Sequence, residues 1–356
     1  MRGIARYVVQ RIVVGWFLFL GLLTLSFSLV SMLPGSPAKA ILGEYAAPDD
    51  VAALNVKLGL DKPFLERYLD YIGGAMKGDF GKSYFTGNPV LQSLLERVPN
   101  TLVYLAPGLI LATVLGILFG SVAAYRYRRP ADRAFTVGSS VLLAVPEFIL
   151  ALLLIVLCFS GLGIAPAPVG MTSSADAQPP DRTGSLVLDA LLGGYWGTFD
   201  SILGHAVLPM ITVGVFFAAP VSKIVRTGMV QALASPQIEF ARACGLRPFQ
   251  VFRYAMAEIR GTVMTYFVIM LASAISGAAI VESVFSWPGV GGWSLTGVLA
   301  NDIPVIQGFV VIMGTASLLG YIVLDVTTTL LDPRTRGQVS GKRRPSPRVL
   351  AKGLTK

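Results

Sequence analysis

The 356-residue sequence predicts an all-α integral membrane protein of six transmembrane helices, and three observations carry that reading. The chain is 54% hydrophobic and only 14% charged, with a mean hydropathy of +0.67, which is more apolar surface than a soluble domain of this length can hide. Six apolar segments lie near 12–33, 102–125, 135–160, 207–227, 263–286 and 308–331, each long enough for a hydrocarbon core that needs about 20 helical residues. Lys and Arg, finally, alternate by side. Three precede the first segment, four lie in Arg126–Arg133, six between Lys223 and Arg260 and eight in the tail, whereas the intervening connections hold seven, one and none. The seven sit in a long loop among eight acids, and long loops weigh little in orientation. Both termini are therefore expected in the cytoplasm.

The net charge of +9 does not point to nucleic acid, because the basic residues are partitioned by membrane side rather than gathered on one aromatic-interleaved face. Membrane lipid is the expected surround. Cys158 falls in a span and Cys244 in a cytoplasmic segment, so neither a disulfide nor a metal framework is expected. Arg2, Arg6 and Arg11 precede an apolar run too long for a signal peptide and without a convincing cleavage site. Residues 1–33 read as a cytoplasmic end and a retained first span.

Residues 34–100 are too long for a bare connector and carry helical periodicity, with Val51, Leu54 and Leu58 in one piece and Phe64, Tyr68, Tyr71 and Ile72 in the next. They predict a small extracytoplasmic layer of short helices. Inside it, Gly81-Lys82-Ser83 invites a phosphate-loop reading, but the position that motif requires to be Gly is Met76 and the loop faces away from the cytosol. The second external connection, 161–205, is rich in Pro and Gly and then helical around Leu186–Leu192; His205, the one histidine, stands at the mouth of the fourth span and suits interfacial packing. Residues 101–331 make a five-helix core, and the basic stretch 332–356 is a cytoplasmic tail.

Between the fourth and fifth spans, Ser235–Pro248 reads as a short helix that lies on the cytosolic surface: Ser235 caps it, Pro236 suits its first turn, Gly245 can take a left-handed position and Pro248 blocks continuation. Such a helix is either a structural elbow or a docking surface, and its residues alone do not choose. Glu239-Phe240-Ala241 followed by Gly245 resembles the Glu-Ala-Ala…Gly loop of permease subunits of ATP-binding-cassette importers. Phe240-Ala241-Arg242-Ala243-Cys244-Gly245-Leu246 is similar, more narrowly, to the Ala-Arg-Ala-Lys-Gly-Leu of the dipeptide/oligopeptide/nickel permeases. Phe240 and Cys244 depart from that pattern. Residues 34–84, the block Ile280–Gly291 and Leu331-Asp332-Pro333-Arg334 resemble the same family.

The resemblance implies a type I importer permease fold with an extracytoplasmic N-terminal helical insertion. It also implies ATPase coupling through Glu239, Phe240, Ala241, Arg242, Gly245 and Leu246, and an outer gate near Glu282, Phe285, Pro288 and Gly289. The expected partners are a second permease subunit, two ATP-binding subunits or domains and an extracytoplasmic solute-binding protein. ATP and Mg are expected on the ATPase, with no cofactor or metal on this chain.

Charged groups within spans must face protein or water. Glu147 follows Pro146 close to mid-membrane, where the proline is expected to kink the span, so its carboxylate is a pathway candidate for the ammonium group of a peptide or a cationic solute. It is a departure from the family, and pairing with a partner subunit or protonation would explain it equally. Glu282 lies near the outer end of the fifth span, with Trp287 and Trp293 at headgroup depth, and Asp325 lies in the last turns of the sixth. The function implied is the membrane-spanning permease subunit of an ATP-driven importer of peptides or similar small solutes, not an enzyme. The alternative is an ion-coupled secondary transporter that works without an ATPase, with Glu147 as its ion site.

Overall fold

The computed structural model describes residues 2–32, 37–43 and 45–331. Among them extended pairing is confined to one isolated bridge, Lys82 to Pro89, and the rest is helix and connection. Five helices are long and apolar enough to cross a membrane: α1 (Arg2–Ser31, apolar from Val9), α5 (Val90–Tyr125), α9 (Trp196–Leu233), α11 (Pro248–Val284) and α13 (Ile303–Leu331, apolar through Val323). A bent pair stands at the place of the third predicted span, α6 (Pro130–Ala144) and then α7 (Glu147–Leu154) with a π-helical turn, Ile155–Gly161, and makes a sixth crossing if counted as one. Shorter helices fill the connections: α2 (Pro37–Leu42), α3 (Pro48–Lys57), α4 (Phe64–Ala75), α8 (Leu186–Gly193), α10 (Pro236–Ala243) and α12 (Val290–Leu299). The fold is the all-α membrane protein that the apolar runs predict. Residues 332–356, with Asp332 and Arg334, and the side chain of Asp325 lie outside what is described.

Several spans begin earlier than hydropathy places them: α5 at Val90 rather than near 102, α9 at Trp196 rather than near 207, α11 at Pro248 rather than near 263. Hydropathy marks only the stretch that needs lipid. A helix runs on past it wherever neighbours supply packing, because each added residue makes a backbone hydrogen bond. His205 accordingly sits well inside α9, its Nδ1 2.8 Å from the Ser201 carbonyl oxygen. Pro99 and Pro107 in α5 and Pro209 and Pro220 in α9 are accommodated without a break.

The centre of the molecule is the pair α5 and α9, which lie so close that side chains are absent from much of the contact. A Cβ on Gly108 would stand 3.0 Å from Val213 Cβ, and one on Gly120 would stand 2.5 Å from the Ser222 carbonyl oxygen and 2.8 Å from Val225 Cβ. Gly116 backs onto Val221, and Gly214 receives Leu111 from the other side. Within lipid, where no hydrophobic drive pulls helices together, such small-residue contacts supply the dispersion energy of association. Buried Tyr104, Leu105, Leu109, Val213, Val225 and Met229 continue the same core.

The third span kinks where Pro146 predicts, but far more sharply than a proline bend: its two arms meet at 100°. The residue before a proline is pushed out of the α region, and Val145 is extended at φ −83°, ψ 120°. Pro146 then acts as N-cap to α7, so the span is two helices rather than one kinked helix.

On the side opposite α10, the N-terminal insertion folds as the periodicity indicates. Phe64, Tyr68 and Tyr71 of α4 surround Phe27 of α1, with ring centroids 5.2, 5.4 and 5.6 Å away, and Tyr68 Oη lies 2.8 Å from Thr24 Oγ1. The Gly81-Lys82-Ser83 stretch is a tether. Ser83 Oγ donates to Asp302 Oδ2 at 2.6 Å and the Tyr84 amide to Asp302 Oδ1 at 3.2 Å, joining the insertion to the start of α13.

Candidate functional site

Three places carry chemistry: the surface of α10, a carboxylate buried beside α12, and the break in the third span. α10 leaves α9 through Ser235, whose carbonyl oxygen accepts from the Ile238 and Glu239 amides, both at 3.0 Å. The expected side-chain cap is not formed; Ser235 Oγ is buried without a hydrogen-bond partner among the described residues. Pro236 opens the helix, and its end is set by Gly245 at φ +76°, a left-handed conformation that glycine adopts without steric cost. Pro248 then starts α11 rather than merely stopping α10, with the Arg247 amide donating to Gln250 Oε1 at 2.9 Å.

One residue of α10, Ile238, is buried, and Leu246 beyond it packs on the same core. The remainder faces outward. Glu239, Arg242 and Gly245 are exposed and Ala241 is half-buried, while Phe240 is 71% exposed and, at the start of α11, Phe249 is 70% exposed. On α10 the exposed Phe240 ring lies between Glu239 and Arg242 in the chain, while Phe249 on α11 stacks on Phe252 with ring centroids 6.4 Å apart. Burying a phenylalanine side chain contributes about 1.5–3 kcal/mol, so the outward face of α10 is suited to insertion into an apolar cleft.

Behind α10 stands an ion pair that the sequence analysis did not single out. Asp132 of α6, almost fully buried, receives Arg226 Nε of α9 at 2.5 Å, Arg226 Nη2 at 2.8 Å and the Arg128 amide at 2.9 Å. Arg226 and Arg128 both lie over the Tyr127 ring, 5.5 and 5.3 Å from its centroid. The available signal was a single acid inside the Arg126–Arg133 cluster, where it offsets its basic neighbours.

At the other end, Glu282 is fully buried. Its Oε1 accepts from Thr101 Oγ1 at 2.7 Å and Tyr104 Oη at 3.2 Å, and its Oε2 from the Gly292 amide at 2.7 Å. The carboxylate thus faces α5 and the first turn of α12 rather than an opening. Phe285 and Gly289 are buried around it, and Pro288 is exposed, with its carbonyl oxygen accepting from Asn100 Nδ2 at 3.0 Å. The glycines of the block serve close approach as well as turning: a Cβ on Gly289 would strike Glu282 Oε1 and stand 2.5 Å from Thr101 Oγ1, and one on Gly291 would enter the α11 backbone at Ala278 and Ala279. Trp287 is not a headgroup anchor. It is 3% exposed, donates Nε1 to the Asn100 carbonyl oxygen at 2.8 Å and meets Tyr104 edge-on at 5.7 Å. Trp293 is half-buried beneath the Arg97 guanidinium, 5.5 Å from its ring centroid.

Glu147 is the first residue of α7, half-buried at the inner corner of the 100° break. It points at Gly277 of α11, where an added Cβ would stand 3.0 Å from Glu147 Oε2. The structure brings Glu282, Phe285 and Gly289 together around α12 and keeps Glu147 and the α10 residues apart from them. Among the described residues no cluster of His, Cys, Asp or Glu has the makings of a metal site.

Residues 116–337 match the family model described as the binding-protein-dependent transport system inner membrane component, and residues 4–105 match the N-terminal model of the same membrane components. Among individual proteins, the chain is 31% identical over 322 residues to the di/tripeptide transport system permease protein DppB of Pseudomonas aeruginosa (strain UCBPP-PA14), covering 90% of this chain and 95% of that protein. It is 32% identical over 315 residues to the probable D,D-dipeptide transport system permease protein DdpB of Escherichia coli K12, covering 88% and 92%. To the oligopeptide transport system permease protein AppB of Bacillus subtilis 168 it is 30% identical over 332 residues, covering 93% and 99%.

Proposed function

Because the chain belongs to the inner membrane components of binding-protein-dependent transport systems, we propose that it is one of two permease subunits that together enclose the pathway of an ATP-driven importer of short peptides. Two ATP-binding subunits or domains, carrying the ATP and Mg, grip α10 on the cytoplasmic side, where both termini also lie. An extracytoplasmic binding protein delivers the peptide to the face that carries α12 and the N-terminal insertion. The chain itself hydrolyses nothing; it converts motion of the ATPase pair into a change of access, through two states that the nucleotide-bound and nucleotide-free motors stabilise differently.

The observation that carries this reading is the outward face of α10. An elbow between two spans has no need of a phenyl ring, Phe240, turned away from the protein at 71% exposure, whereas insertion into an ATPase cleft covers it. The peptide class follows from the relatives' printed substrates. The test is uptake of a labelled dipeptide into proteoliposomes holding this chain with its partner permease, ATPase subunits and binding protein. Uptake is expected to require ATP, and Phe240→Asp is expected to abolish both uptake and co-purification of the ATPase. Uptake that persists without ATP and collapses with an ionophore would instead establish the ion-coupled alternative.

A further inference from the structure

Glu147 stands where three spans converge. It opens α7, which packs against α9 and α11, and its Oε2 lies against the bare backbone of Gly277 on α11. The other acid described within a span, Glu282, is fully occupied by Thr101, Tyr104 and the Gly292 amide. Glu147 is not: among the described residues no hydrogen bond or ion pair reaches it. Gly277 leaves room for the carboxylate without donating to it, and Pro146 before it has no amide hydrogen to offer.

A carboxylate within a membrane span is costly unless something compensates it, and one that no described donor reaches is open to a cation from outside the chain. We propose that Glu147 is a recognition point on the pathway for the protonated N-terminal amine of a passing peptide. This rests on the peptide-importer reading above. The α-amine of a peptide, with a pKa of about 8, is charged at neutral pH, and its ammonium head presents three donors on a compact centre, which one unobstructed carboxylate can receive from several directions. Because every unblocked peptide carries this group whatever its side chains, a single acidic point serves the whole class without selecting among sequences. The break in the third span places this carboxylate at the first residue of α7, facing α11 at Gly277.

The test uses the complete importer in proteoliposomes with binding protein saturated by labelled dialanine, comparing the unaltered complex with Glu147→Gln and Glu147→Asp. Loss of one charge-assisted contact predicts an uptake rate about tenfold lower for Glu147→Gln. Glu147→Asp is expected to retain most of the rate, and the complex should keep its subunit composition and melting temperature in both. Glu147→Gln transporting at the unaltered rate would overturn the inference while leaving the importer reading intact. Loss of the partner permease or a lowered melting temperature in parallel with uptake would also overturn it, by making Glu147 the counter-charge of a partner subunit's cation. Absence of ATP-dependent uptake in the unaltered complex would overturn the importer reading itself.

Discussion

Replacing Glu282 should loosen α12 from the bundle, and the geometry fixes how much. In Glu282→Ala three donors lose their acceptor inside a region closed to water: Thr101 Oγ1, Tyr104 Oη and the Gly292 amide. The two hydroxyls can rotate toward other acceptors. The amide cannot, because its direction is set by the first turn of α12. An amide left buried without its acceptor costs about 1–3 kcal/mol, and with the two hydroxyl contacts also lost the change falls at the upper end of that range. Glu282→Gln is milder. Its oxygen can serve the Gly292 amide while its NH2 group turns to Thr101, whose oxygen already accepts from the Val290 amide at 2.9 Å and has a second lone pair. What remains are the hydroxyl hydrogens of Thr101 and Tyr104, which both lose their acceptor and must rotate to others, about 1–2 kcal/mol. Hydrogen exchange over residues 286–300 reads this directly: protection of the α12 amides should fall by about 100-fold in Glu282→Ala and by about tenfold in Glu282→Gln. Equal protection in all three proteins, or a Gln variant as exposed as the Ala variant, would refute the reasoning that an accepting carboxylate holds this helix.

Two further changes test the packing elsewhere. Gly120→Val places a branched side chain where even one Cβ lies 2.5 Å from the Ser222 carbonyl oxygen; overpacking of this kind costs about 1–3 kcal/mol or more, and a lowered detergent melting temperature should report it, whereas the same change at Gly138, with open space around it, should leave the temperature unmoved. Asp132→Ala strips Arg226 of a bidentate partner and should destabilise by about 3–5 kcal/mol. A double-mutant cycle with Arg226→Met should recover much of that loss, since the second change removes the stranded charge.

The parts of this molecule that were legible in the sequence are those whose cause is local. Twenty apolar residues in a row demand lipid wherever they occur, so the five long apolar helices and the bent pair were all visible, and the i, i+4, i+7 spacing of Phe64, Tyr68 and Tyr71 announced the face that closes on Phe27. Pro146 announced a disturbance in the third span. Its 100° angle depends on what α7 packs against, α9 and α11, which no local signal encodes. The same distinction holds at the sites. Glu282 stood out as an acid inside a span, but its donors Thr101 and Tyr104 lie 181 and 178 positions away in the chain, and only the fold shows that it is a fastening and not a lining. Trp287 was read from composition as an interfacial aromatic; burial against Tyr104 overrode that preference. Asp132 and Arg226, 94 positions apart, each looked like one more solvated charge at a loop.

The 38-residue helix α9 is unbroken from the turn before α10 to the opposite surface, a rod about 57 Å long at 1.5 Å per residue. Seated on α5 along a glycine seam, it runs through Pro209 and Pro220 without a break in the helix, so a disturbance at one end is carried to the other. Tilting such a beam by only about 5° at the α10 end swings its far end through about 5 Å, roughly the repeat of one helical turn. A nudge too small to matter locally thus becomes, at the opposite end of the helix, a displacement of about one helical turn.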